Sequence, residues 1–207
     1  MPLYKTITVS PTTQVYIWKI TEDLGTLSRN IALTNHCQNR VDGMKSLLHQ
    51  RGFMSVRHLL AEAGYTDHDL YYDAWGKPHL HDGKQISITH SFTFSAIIVS
   101  DSPVGIDIEM QRDKIIRIAH KFTPFEEYRT LANADAVVRK LTIVWGGKES
   151  MYKSYAQEGL SFLKHMYIED FHFEDAQTTG SVSFNGSSKV YQLHFLEFEG
   201  FTCVYAT

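Results

Sequence analysis

Only two cysteines, Cys37 and Cys203, occur in 207 residues. That is too few for a disulfide scaffold or a thiolate zinc site, and such sparing use fits a reducing compartment. Five prolines and thirteen glycines exclude collagen-like and proline-rich disordered chains. No apolar run approaches the ~20 residues that cross a bilayer; the longest stretch, near Phe94–Val99, has the length of a strand. The opening MPLYKTITVS lacks the basic and apolar regions of a signal peptide. Positive charge is not in excess either. Twenty Lys and Arg against 23 Asp and Glu leave a net −3, which offers no overall field for nucleic acid or an anionic membrane. The expectation is a soluble cytoplasmic protein.

What is present is a globular composition, 43% hydrophobic and 21% charged, on a chain that suits one large domain or two of about 100 residues. Leu3–Val9 and Val15–Ile20 read as strands rich in β-formers. Between Ile31 and Ala63 apolar residues recur at helical intervals, with Gly64 as the stop. Trp75-Gly76-Lys77-Pro78 is a turn. Strand patterns follow over Gln85–Thr89, Thr93–Ser100 and Val104–Glu109, and Asp101-Ser102-Pro103 marks the best boundary. Helical patterns cover Lys114–Ala119, Pro124–Leu131 and Asp135–Tyr155. From Leu163 to Tyr205, alternation with Asn185-Gly186 as a hairpin turn predicts antiparallel sheet. The class is α+β, with halves 1–102 and 103–207 of similar layout.

Three constellations carry chemistry. Asp107 and Glu109 lie two apart in Val-Gly-Ile-Asp-Ile-Glu-Met, so a strand places both carboxylates on one face and sends Ile106 and Ile108 to the core. Such a pair suits Mg²⁺, although a polar strand end meeting water is commoner on spacing alone. In Trp145-Gly-Gly-Lys148-Glu149-Ser-Met-Tyr-Lys153, Glu149 and Lys153 share a helix face. Alone, that is an exposed pair, except that two adjacent glycines weaken a helix and point to a close approach by another backbone or a ligand. His90 ends the strand Ile86–Thr89, where it either contacts a phosphate or is solvated. His79 and His81 lack a third ligand and read as surface residues.

Taken in order, Gly-Lys-Pro (76–78), Ser-Ile-Thr-His-Ser (87–91), Gly-Ile-Asp-Ile-Glu (105–109), Phe-Thr-Pro-Phe-Glu (122–126) and Trp-x-x-Lys-Glu-Ser-x-x-Lys (145–153) resemble the 4′-phosphopantetheinyl transferase superfamily. Chain length resembles its larger, single-chain Sfp-type branch. The resemblance implies two pseudo-symmetric halves, each a small antiparallel sheet with one principal helix. It implies coenzyme A nucleotide contacts in residues 1–102, and in 103–207 the metal site, catalytic helix and carrier docking. By the same resemblance Asp107, Glu109 and Glu149 hold Mg²⁺, with Glu149 also the candidate base. Lys153 stands near the reacting phosphate, and His90, Thr89, Lys77 and Arg51 contact coenzyme A.

The implied activity is transfer of 4′-phosphopantetheine from coenzyme A to a serine of an apo acyl or peptidyl carrier protein, releasing adenosine 3′,5′-bisphosphate. Tyr155–Lys164 is either the docking surface for that acidic, helical partner or a segment with Phe162 and Leu163 in the core. The expected state is a monomer binding neither nucleic acid nor membrane. Two other classes compete: a non-catalytic coenzyme A-binding relative acting as an interaction protein, and a different Mg²⁺ enzyme such as a phosphohydrolase. Intact carboxylates argue against the first, and the joint motifs against the second.

Overall fold

The computed structural model describes residues 3–124 and 133–207 and divides into two compact units, Met1–Pro103 and Val104–Thr207. The first contains β1 (Leu3–Ser10), β2 (Thr13–Lys19), α1 (Leu24–Ser28), α2 (Asn35–Asp42), α3 (Leu47–Glu62), β3 (Leu70–Tyr72), β4 (Pro78–Leu80), β5 (Gln85–Ser91) and β6 (Phe94–Ser100). Its main sheet is antiparallel in the order β1-β2-β6-β5, and β3 and β4 form a separate hairpin. The apolar pattern over 31–63 resolves into two helices because side-chain caps restart the chain. Thr34 accepts the Cys37 amide to open α2, and Ser46 accepts the His49 amide to open α3. Gly64, at φ +84°, ends α3 as expected.

Helix α3 lies on β2, β5 and β6. Phe53, Met54, Val56, Leu59 and Leu60 pack with Trp18, Ile86, Ile97 and Val99. An ion pair is sealed into this unit: Arg57 Nε meets Asp67 Oδ1 at 2.9 Å with both side chains almost fully buried. Asp67 Oδ2 also accepts the Thr34 amide and hydroxyl at 2.8 and 3.0 Å, so one carboxylate ties the start of α2 to α3.

The second unit holds β7 (Gly105–Met110), α4 (Lys114–Ile118), α5 (Ala134–Tyr155), α6 (Phe162–His165), β8 (Met166–Ile168), β9 (Gln177–Phe184), β10 (Ser187–Phe198) and β11 (Phe201–Ala206). Its antiparallel sheet runs β7-β11-β10-β9-β8. The helix expected over 124–131 falls, after Pro124, outside the described residues, as do Phe125 and Glu126 of the 122–126 motif. Leu163, expected in sheet, belongs to α6, which Ser161 caps by accepting the Lys164 amide. At Asn185-Gly186 the flanking strands pair directly, Phe184 with Ser187. Positive φ at both turn residues, +50° and +78°, makes a two-residue hairpin of the primed kind.

The units repeat one plan. In the first, the chain leaves β2, forms α3, and returns so that β6 lies between β2 and β5; in the second it leaves β7, forms α5, and returns so that β11 lies between β7 and β10. The fold is therefore α+β, in the expected layout of a sheet and a principal helix per half.

Helix α5 sits on β7 and β11 at a distance its glycines permit. A Cβ on Gly146 would stand 2.8 Å from Val204 Cγ2, and one on Gly147 2.8 Å from Ile168 Cδ1. Sheet side chains, rather than a backbone or ligand, are what this glycine pair admits. Backbone does meet backbone at Gly105, where a Cβ would lie 1.8 Å from the Ser150 carbonyl oxygen.

Candidate active site

The strand β7 alternates as its sequence dictates: Ile106 and Ile108 are buried, while Asp107 and Glu109, opposite Val204 and Thr202 on β11, share the other face. Asp107 lies under α5. Lys153 Nζ donates to Asp107 Oδ1 and to the Ile106 carbonyl, both at 2.8 Å. Lys153 is thus drawn to the strand, not extended as the exposed partner of Glu149. Close packing at Gly105 and Gly146 sets this reach, since Gly146 itself stands against Val204 and Asp107.

Glu149 is half-buried, and its carboxyl is pushed up to about 7. Burial is the main cause, the Asp107 charge adds to it, Lys153 opposes it and Glu109 adds again. Its three charged neighbours therefore act electrostatically on Glu149. Their donor chemistry is that of hard oxygen ligands for a divalent cation, and a carboxyl strained by burial and like charge is what such a cation relieves. Among the described residues, no three His, Cys, Asp or Glu side chains stand together closely enough to hold a metal ion.

Lys148, the other cation of the motif, turns inward. It is 1% exposed and its Nζ donates to the carbonyls of Phe122 and Phe162 at 2.5 and 3.0 Å. Trp145 sits edge-on to Phe122, 5.1 Å between centroids, and tilted against Phe162 at 5.5 Å. Phe162 is accordingly half-buried, whereas Leu163 and Lys164 are exposed. Beside Glu109 a cleft of about 140 Å³ opens, lined by Arg112, Lys114, Ile115, Ile118, Thr142 and Trp145 among others.

In the first unit, His90 is exposed at the end of β5 and lies against α3, where a Cβ on Gly52 would come within 2.9 Å of its Nδ1. His49, on the first turn of α3, brings its ring centroid to 6.3 Å from that of His90. Arg51 is half-buried and donates from Nη2 to the Ile20 carbonyl at 3.0 Å. Thr89 is buried. Lys77 is half-buried in a turn organised by Asp73, whose Oδ1 accepts the Trp75 and Lys77 amides at 3.0 and 2.9 Å while Gly76 takes φ +82°.

Asp73 is a positioning residue the motif reading passed over, although an Asp three residues before Gly-Lys-Pro is the ordinary signal of a side chain that caps a turn. Its carboxyl is held below the usual range, first by the hydrogen bond from His79 and then by those amides. His79 and His81 are not merely surface residues: His79 pairs with Asp73 at 3.0 Å, and both rings stack on Tyr71.

The two units thus compose an α+β protein with a carboxylate–lysine site on one sheet and a histidine-bearing strand end on the other. Residues 103–206 match the 4′-phosphopantetheinyl transferase superfamily, and the chain belongs to that family. Its class of chemistry is phosphopantetheine transfer. Comparison with curated proteins finds no match.

Proposed function

We propose that this protein is a single-chain, Sfp-type enzyme that transfers 4′-phosphopantetheine from coenzyme A to a serine of an apo acyl or peptidyl carrier protein, releasing adenosine 3′,5′-bisphosphate. The observation that carries this reading is the meeting of two distant motifs, Asp107 with Lys153 at 2.8 Å beside a Glu149 raised to about 7. Acting as a monomer in the cytoplasm, it would hold Mg²⁺ through Asp107, Glu109 and Glu149, carboxylates that the ion would have to draw together. When bound, that ion supplies neutralisation of pyrophosphate charge.

The chain's own groups do the remainder. Attack by the serine oxygen forms a bond to the phosphorus that bears pantetheine, and the pyrophosphate bond to adenosine bisphosphate breaks. Glu149 accepts the serine proton, directly or through one water. Lys153 stabilises the charge left on the departing phosphate. His90, Thr89, Lys77 and Arg51 contribute to holding coenzyme A. The apolar and cationic cleft beside Glu109 suits the pantetheine chain. For the acceptor, exposed Leu163 and Lys164 on α6 offer an apolar point beside a cation. Arg112, Lys114 and Arg117, also exposed, give unit two a second positive surface for an acidic helix.

The test is intact-mass spectrometry of an apo carrier protein incubated with this protein, coenzyme A and Mg²⁺. Addition of one phosphopantetheine, lost with EDTA, is the expected result. Binding of coenzyme A without transfer to several carriers would favour the non-catalytic alternative, and turnover of coenzyme A without any acceptor would make it a hydrolase.

A further inference from the structure

We infer that His165 is a proton-operated latch on α6: its neutral ring holds the segment 161–165 closed for the carrier protein, and protonation opens it. The latch deepens the docking reading above and rests on it for the identity of the partner.

Helix α6 is four residues long, too short to persist without its caps. Ser161 Oγ accepts the Lys164 amide at 3.3 Å, and the Ser161 carbonyl accepts the His165 amide at 2.9 Å. In return the Ser161 amide donates to His165 Nδ1 at 2.9 Å. The arrangement is reciprocal, like a capping box, with an imidazole nitrogen where a Glu or Gln oxygen usually stands. A backbone N–H can only donate, so Nδ1 keeps its lone pair and the ring proton sits on Nε2. The half-buried ring lies against Phe184, with 4.8 Å between centroids.

An imidazolium carries a proton on both nitrogens and accepts nothing. Protonation therefore turns the bond between Ser161 and His165 into two N–H groups facing each other. Helix α6 packs against β8, β9 and the turn Ala119–Lys121. Their titratable and charged groups are Tyr167 on β8 and His120 and Lys121 on the turn, while β9 brings none. Lys164 lies on α6 itself, and from α5 Lys148 reaches the Phe162 carbonyl while Tyr152 meets the Phe162 ring. Glu158, exposed ahead of Ser161, is the only carboxylate between Tyr155 and Ile168. None of α6, β8, β9 and that turn offers an Asp or Glu to take over the charged ring. Acid thus undoes the bonds that fix Leu163 and Lys164, the exposed residues assigned to the carrier.

His165→Asn separates the proton from the bond, because Asn Oδ1 hangs from Cγ as His Nδ1 does and accepts an amide without titrating. The first readout is protection of the Ser161 amide from hydrogen exchange, corrected for intrinsic rates, at about pH 7.5 and about pH 5.5. Wild type should lose about fivefold in protection at the lower value, the worth of one capping bond, and His165→Asn should stay level. The second readout is KM for an apo carrier protein, which should rise about fivefold in wild type and less than about twofold in the variant. Other groups, Glu149 included, titrate in both proteins and cancel in the comparison. Level Ser161 protection in wild type, or an equal loss in both proteins, would overturn the latch. A loss confined to wild type with equal changes in KM would instead overturn α6 as the docking element. Absence of any transfer would overturn the enzyme reading, and the exchange data would still decide the latch.

Discussion

Two lysines five residues apart on one helix have opposite physical roles. Lys153 remains partly accessible and bridges Asp107 to a strand carbonyl. Lys148 is sealed, and its ammonium satisfies two carbonyls from segments on either side of the helix, Phe122 and Phe162. Replacing Lys148 by Met leaves both carbonyls without that donor, each worth about 1–3 kcal/mol when buried, and offsets part of this by removing a desolvated charge. Lys148→Met should therefore destabilise the fold by about 2 kcal/mol while folded molecules still modify the carrier. Lys153→Met should abolish transfer even in molecules that fold, and taking the ammonium from the buried Asp107 should also cost stability. Urea unfolding and the mass assay on the same preparations separate the two, and loss of activity in a fully folded Lys148→Met would refute the assignment.

At the scale of elements, the contact of α5 with its sheet is set by glycines of unequal tolerance. At Gly105 an added methyl meets the Ser150 backbone oxygen, which cannot move without shifting the helix; at Gly147 it meets the flexible end of Ile168. Gly105→Ala should cost more than about 3 kcal/mol. It should also suppress transfer beyond its effect on folding, because Asp107 is two residues along the same strand. Gly147→Ala, where the ~1 kcal/mol gain in helix propensity offsets the crowding, should stay within about 1 kcal/mol of wild type. Equal midpoints in guanidinium for the two variants would contradict this ranking.

These same elements show what could be read beforehand. Strand alternation in Gly-Ile-Asp-Ile-Glu sorted Asp107 and Glu109 from Ile106 and Ile108 correctly, since period two is local. The layout of α3 and α5 with their sheets followed from chain order and the motifs. The inward turn of Lys148 was not legible, because its partners Phe122 and Phe162 are 26 and 14 residues away. Nor was the approach of His49 to His90, which depends on one glycine in α3 facing a strand 38 residues further on. The division of 31–63 into two helices was not read for another reason: apolar periodicity continues across the break, which Gly43 at the end of α2 and the Ser46 cap of α3 mark.

Across the whole molecule, the units differ in how they keep charge. In the second, the Asp170 side chain that pairs with Lys140 is 90% exposed, so screening leaves that pair little weight, and the Lys153 that meets the buried Asp107 is itself 27% exposed. The first encloses Arg57 and Asp67 at 2% and 0% side-chain exposure. Burial by itself would raise Asp67, but the Thr34 amide, the Arg57 charge, and side-chain bonds from Cys37 and Thr34 outweigh it and hold the carboxyl below the usual range. A depressed carboxyl stabilises the fold fully above its unfolded value of about 3.9 and loses that contribution as pH falls through the lower folded value. Acid should therefore open the first unit before the second, and pepsin digestion at falling pH should cut first between Asn30 and Leu70. Arg57→Met removes one of the groups that hold Asp67 down. The Thr34 and Cys37 bonds then oppose burial alone, so the variant should lose about 3–5 kcal/mol near neutral pH and less at acid pH, where the carboxylate no longer needs its partner. Urea midpoints at about pH 7 and about pH 3.5 measure this directly, and a destabilisation of the same size at both would show that the buried pair is not what makes the first unit acid-sensitive.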